Sequence, residues 1–371
     1  MEKVKVAIID DGINNEFLFE KAVNYWYENG EIVPERIKCN KISHGTKCAQ
    51  IFESYARHYI LYGIKILNFN RETNIQSLLC ALEWCKKNHI KLISLSLGST
   101  FYADFDLLLP KIEQLIKKEI LIIAAAHNND YLTFPASINK VIGVRCDRKE
   151  TLSEGEIRYC VNDFCGINLI VGSIENKFSN LEIKKHNSYV VPYVAAYILK
   201  LIQRGIFKIQ EVDDYIKKNL IEYNNCEYLR YFIERETINI ICYKNDNKIT
   251  DIIELVDYFR KQGYHAIMVQ KLLSNSTVWP YCIRQKILIP NSKYLKCLNF
   301  TVNADLIFWY CCKEENFNNI DVDGILHSKK GEYNNSLINI DYDIFDKKLI
   351  FEEICRLFLR LLIVPISLSL C

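Results

Sequence analysis

The sequence predicts an α/β fold: a parallel sheet flanked by helices over residues 1–221, then a second, smaller α/β domain over 237–371. Three observations predict it. Short apolar runs that barely alternate recur along the first two hundred residues, as strands buried on both faces do. Amphipathic helical patterns fall between them, the rhythm of strand–helix–strand units. The chain has 371 residues, half of them hydrophobic, more than one small domain uses and enough for two cores.

In chain order, VKVAIID (4–10), YGIKIL (62–67), KLISLSL (91–97), ILIIAAA (120–126) and KVIGVRC (140–146) read as strands. SHGTKCAQIFESYA (43–56), NIQSLLCALEWCKKNH (74–89) and LPKIEQLIKKE (109–119) carry the helical patterns between them. A long apolar helix opens at Ser188 and runs to about Gln203, and IQEVDDYIKKN (209–219) follows as another. The charged, Asn-rich stretch 222–236 reads as a linker. A new alternation then begins: the strand TINIICY (237–243), a helix in ITDIIELVDYFRKQG, and strands in HAIMVQ, KILIP, ADLIFWYCC and SLINIDYD. The helix KKLIFEEICRLFLRLL closes it. This second domain has neither G-x-x-x-x-G-K-[ST] nor G-x-G-x-x-G, so phosphate binding there has no sequence support.

Composition excludes several classes. Lys+Arg 47 against Asp+Glu 45 leaves a formal +2, far from the basic field that a nucleic-acid binder needs. Fifteen cysteines are scattered without a C-x-x-C pair, and Cys160 with Cys165 has no companion to close a zinc site. No metal or cofactor is expected. Unpaired thiols that behave as small hydrophobes suit a reducing cytoplasm. MEKVKVAIIDDG ends its short apolar run in two acids, unlike a signal peptide. The apolar tail is interrupted by Arg360 and Pro365 and is too short to span a bilayer.

Ligands in open α/β sheets bind beyond the carboxyl ends of the strands, so polar residues there draw attention. Asp10 and Asp11 end the first strand, before Gly12. A carboxylate at that tip accepts an imidazole N–H or is a plain loop acid. His44 stands where a helix begins, as a base or as a satisfied capping residue. Asn128 lies just past another strand end, where Asn is commonly a turn residue. Ser188 opens its helix with Pro192 four residues on; Ser is also among the commonest helix caps.

Singly these signals are weak; their joint order is specific. Asp, His, Asn and Ser, each at a strand tip or helix start, resemble the subtilisin family of serine proteases. VAIIDDGI is similar to its aspartate motif, HGTKCA to its histidine motif and AAAHNND to its oxyanion asparagine region. NSYVVPYVAA stands where the family has Gly-Thr-Ser-Met-Ala-x-Pro-x-Val-Ala, and FPASINKVIGV resembles its proline turn. The resemblance spans about residues 3–220. The Asp-Asp-Gly and His-Gly-Thr-Lys-Cys-Ala stretches are similar to the kexin branch, which points to Asp104 and Asp106 as a source of preference for basic residues.

The resemblance implies a serine endopeptidase with Asp10, His44 and Ser188 as its triad and Asn128 as oxyanion donor. Ser96, Leu97 and Gly98 would bind an extended peptide by strand addition. Compact intracellular bacterial relatives often remove leader segments from ribosomally made peptides. Peptide or protein substrates are therefore expected, with no nucleic acid and no membrane span, and a partner protein is a candidate for the 237–371 domain. General intracellular turnover and a catalytically silent peptide-binding module are the competing readings. The chain departs from the family where His127 precedes Asn128 and where His186 and Asn187 precede Ser188. Glycine at two of these sites serves left-handed backbone or close approach, which His does not fit. A reshaped nucleophile turn and a narrowed cleft are expected.

Overall fold

The computed structural model describes residues 2–35, 42–68, 72–100, 104–128, 132–138, 140–160, 169–174, 186–223, 237–243, 246–262, 264–271, 282–285, 298, 304–311, 322–328, 338–342 and 345–358. The chain divides into two compact units, Met1–Asn129 with Thr133–Tyr223, and Asn224–Cys371 with Asp130–Leu132. Residues 224–236 of the expected linker, the strand KILIP and the tail beyond 358 lie outside the described residues.

The first unit is built on a nine-stranded sheet. Its strands are β1 (Val4–Asp10), β2 (Val23–Glu28), β3 (Glu31–Pro34), β4 (Tyr59–Lys65) and β5 (Leu92–Leu95). β6 (Leu121–Ala125), β7 (Ile142–Cys146), β8 (Ile157–Tyr159) and β9 (Leu169–Val171) complete it. The order is β3-β2-β4-β1-β5-β6-β7-β9-β8, parallel except for the two edge pairs β2–β3 and β8–β9. β1 lies at the centre between β4 and β5, which is why its last five residues are all buried.

Five helices accompany the sheet: α1 (His44–Tyr55), α2 (Ile75–Lys87), α3 (Phe105–Ile116), α4 (Asn187–Gln203) and α5 (Ile209–Asn219). α1 starts where Ser43 Oγ accepts the Thr46 N–H at 3.0 Å, and α2 where Asn74 takes the Ser77 N–H at 2.9 Å. Each such cap is worth about 1 kcal/mol. α1 and α4 share one apolar cluster, in which Cys48, Ala49 and Phe52 meet Val190, Val191, Val194 and Ala195 over Val6, Ile8, Leu121 and Ile123 of the sheet.

The strands and helices expected of this unit are present with shifted ends; the edge pair β8–β9 was not among them. The β2–β3 hairpin was not anticipated; its turn is Asn29-Gly30, with φ of 50° and 90°. In α4 the cap position is His186, and Ser188 is the second helical residue rather than the cap.

The second unit is a six-stranded all-parallel sheet in the order β12-β11-β13-β10-β14-β15. Its strands are β10 (Ile238–Tyr243), β11 (Ala266–Lys271), β12 (Cys282–Gln285), β13 (Leu306–Cys311), β14 (Gly324–Ser328) and β15 (Ile338–Tyr342). Helices α6 (Ile249–Lys261) and α7 (Lys347–Phe358) pack on one face through Leu255, Phe259 and Ile354. Among the described residues no helix is long and apolar enough to cross a membrane.

Candidate active site

The carboxyl ends of β1, β5 and β6 meet the first turns of α1 and α4, and the sequence-singled residues gather there. The two acids that end β1 divide the work. Asp11 accepts the His44 N–H at 3.1 Å and the Gly45 N–H at 2.7 Å, and so closes the start of α1. Asp10 turns instead to the imidazole: its Oδ2 and Oδ1 lie 2.9 and 3.0 Å from His44 Nδ1. Gly45 is required by closeness, since a Cβ there would meet the Gly12 carbonyl oxygen at 2.6 Å. Gly12 itself has φ +105°, a backbone that favours glycine.

The other imidazole nitrogen, Nε2, is 3.0 Å from Ser188 Oγ. Residues 144 positions apart are thus joined by one ring. Asn128 reaches the same place from the end of β6. Its Oδ1 accepts the Asn187 N–H at 2.9 Å, satisfying one of the donors a helix start leaves unpaired. A backbone N–H bonds only to an amide oxygen, so this contact occupies Oδ1 and not the Asn128 NH₂.

Sequence reasoning missed what fixes this turn. Asn187 is fully buried, and its side chain accepts from Cys146 N at 2.9 Å while donating to Ala126 O at 3.0 Å and His127 O at 3.2 Å. It ties the ends of β6 and β7 to the first turn of α4. The expected strain at the substituted glycines is absent: His186 sits in extended backbone at φ −114°, and His127 is not among the positive-φ residues. The asparagine bonds hold the turn without any left-handed residue.

The Tyr189 ring lies against the His44 ring, tilted by 37° with centroids 5.0 Å apart. Together with His186, Asp147 and Gly172 it also lines a cavity of about 300 Å³ beside α4. Ser96, Leu97 and Gly98 continue from the end of β5, with Gly98 exposed. Asp104 immediately precedes α3 and Asp106 lies in its first turn.

Cys48 lies one turn along α1, with its Sγ 3.7 Å from His44 Nδ1. Asp10, His44 and Cys48 hold their ligand atoms within 4.8 Å of one another, the one metal-type cluster among the described residues. A cation there would compete with the Asp10–His44 hydrogen bond for the same lone pairs. Burial alone would lower the His44 imidazole; its contacts with Cys48 and Asp10 overcome this and hold it above its ordinary 6.5. Burial raises the Cys48 thiol too, against the opposing pull of the His44 charge and hydrogen bond. Asp10 is itself raised by burial, against the opposing pull of the His44 hydrogen bond.

The chain is similar to known proteins over part of its length. Minor extracellular protease Epr of Bacillus subtilis (strain 168) is 25% identical over 155 residues, which cover 38% of this chain and 23% of that protein. The match therefore spans less than a quarter of that relative's length. Among solved structures, a lanthipeptide protease aligns with a TM-score of 0.44 at 13% identity, covering 62% of this chain and 81% of the other. A cold-adapted subtilisin-like serine proteinase aligns with 0.45 at 16% identity, covering 60% and 85%. Residues 1–225, well over half of the molecule, match the description of the subtilase family, and the chain belongs to that family.

Proposed function

We propose that the chain is a serine endopeptidase acting through an acyl-enzyme. The observation that carries this reading is the continuous contact from Asp10 through His44 to Ser188, at 2.9 and 3.0 Å. Ser188 Oγ attacks the scissile carbonyl while His44 Nε2 takes its proton. Asp10 keeps the Nδ1 proton in place and stabilises the imidazolium that forms. The oxyanion falls between the Asn128 NH₂ and the Ser188 backbone N–H, near the positive end of α4. His44 then returns the proton to the leaving amine, and water repeats the sequence to free the acyl group.

The substrate lies extended along Ser96, Leu97 and Gly98, so backbone rather than side chains carries most of the recognition. Such binding favours unfolded segments, and leader segments of ribosomally made peptides are substrates of that kind. Among the described residues, the free thiols Cys48, Cys80, Cys85, Cys146, Cys242 and Cys355 suit a reducing, cytoplasmic setting. A role for the second unit in gripping the substrate or a partner protein completes the proposal.

A fluorophosphonate probe tests the reading without knowledge of the natural substrate. One adduct per chain is expected, mapped to Ser188 by peptide mass; no adduct at any pH from 6 to 10 leaves the peptide-binding reading ahead. The rate of labelling carries a second prediction. His44 accepts a proton only when neutral, and its neutral form appears above a raised pKa. Labelling is therefore slow in acid and rises through a limb whose midpoint lies above 6.5. A midpoint below that value contradicts the pull that Cys48 and Asp10 together exert on the ring.

A further inference from the structure

Ser188 carries a backbone defect that its own helix creates. In an α-helix the carbonyl of residue 188 receives the N–H of residue 192. Residue 192 is Pro192, inside α4, which has no N–H and whose ring pushes against the carbonyl four residues earlier. The Ser188 C=O is thus deprived of its donor and turned outward. Two side chains from other elements meet it there. Ser96 Oγ–H donates to it at 2.8 Å, and Cys48 Sγ lies at 3.8 Å. Ser96 Oγ and Cys48 Sγ are themselves 3.5 Å apart. Cys48 also touches the far nitrogen of the base, His44 Nδ1.

We propose that Ser96 is a positioning residue: its hydroxyl replaces the hydrogen bond that Pro192 withholds and so holds the Ser188 backbone against His44, with Cys48 as a weaker second donor. The inference rests on the reading of Ser188 as the nucleophile. Pinning this carbonyl fixes the Cα of Ser188, and through it both the direction of Oγ toward His44 Nε2 and the donor N–H of the oxyanion pair. It also gives Ser96 two separate duties. Its backbone belongs to the substrate edge, its side chain to the nucleophile.

The test is a double-mutant cycle on fluorophosphonate labelling rates. Ser96→Ala is expected to slow labelling about tenfold, the cost of a part-buried carbonyl left without a donor. With a peptide substrate the loss falls on kcat, and KM stays near its original value because the Ser96 backbone is retained. Ser96→Thr keeps the hydroxyl and restores the rate. Pro192→Ala supplies the missing N–H, so adding Ser96→Ala to it is expected to cost less than twofold. Equal slowing in both backgrounds, or a loss confined to KM, overturns the proposal. Should the unmodified protein take no label, the fault lies with the nucleophile reading, and the same cycle is read in urea midpoints. There Ser96→Ala lowers the midpoint only when residue 192 is proline; additive shifts overturn the proposal.

Discussion

Asp10→Asn lowers kcat/KM about 10⁴-fold while leaving the fold intact. The replacement is isosteric in a site that is 2% exposed, so packing is unchanged. Its amide, however, offers a donor where Asp10 offers only acceptors. The imidazole answers by moving its proton from Nδ1 to Nε2, and Nε2 then faces Ser188 Oγ as a donor rather than a base. The charge that favours the imidazolium disappears in the same change. Asp11 gives no substitute, because both of its oxygens are held by the His44 and Gly45 N–H groups. Labelling rate with circular dichroism as the folding control checks this; retention of a tenth of the rate would remove Asp10 from the orienting role.

Asn187→Ala destabilises the first unit by about 3–5 kcal/mol. Alanine leaves the buried Cys146 N–H without the Asn187 oxygen and takes one hydrogen bond from each of the Ala126 and His127 carbonyls, at a position that is itself fully buried. Each stranded group costs about 1–3 kcal/mol, against a typical domain stability of about 5–15 kcal/mol. Urea denaturation measures the loss directly, and a change below about 1 kcal/mol would show that solvent or a rotated neighbour replaces the side chain. Labelling falls as well, since the turn that Asn187 holds presents Ser188.

The central strands were legible because a strand buried on both faces has no choice but to be apolar throughout, as VAII in β1 and LIIAA in β6 are. The β2–β3 hairpin was missed although it carries its own signal. Its strands are half-exposed and polar, but Asn29-Gly30 is a dipeptide that tight hairpins favour. Of the candidate site, Asp10, His44, Asn128 and Ser188 were readable because each sits at an element end, where the sequence pattern changes. Asn187, Tyr189 and the Ser96–Ser188 bond were not readable as partners. Their meaning lies in neighbours 41 to 145 residues away, such as Cys146 for Asn187 and His44 for Tyr189, and no local pattern encodes those. The strain expected from His186 failed for the same reason: distant asparagine bonds set the turn.

The shared apolar cluster of α1 and α4 has a consequence for how this molecule can vary. The 3.0 Å gap between His44 Nε2 and Ser188 Oγ is inherited from how two helices interlock. Trimming Phe52 or swelling Ala195 shifts one helix axis against the other, and a shift of a few tenths of an ångström already matters to proton transfer. On the proposed reading, turnover in this fold is tuned from its interior, by residues that never approach a substrate.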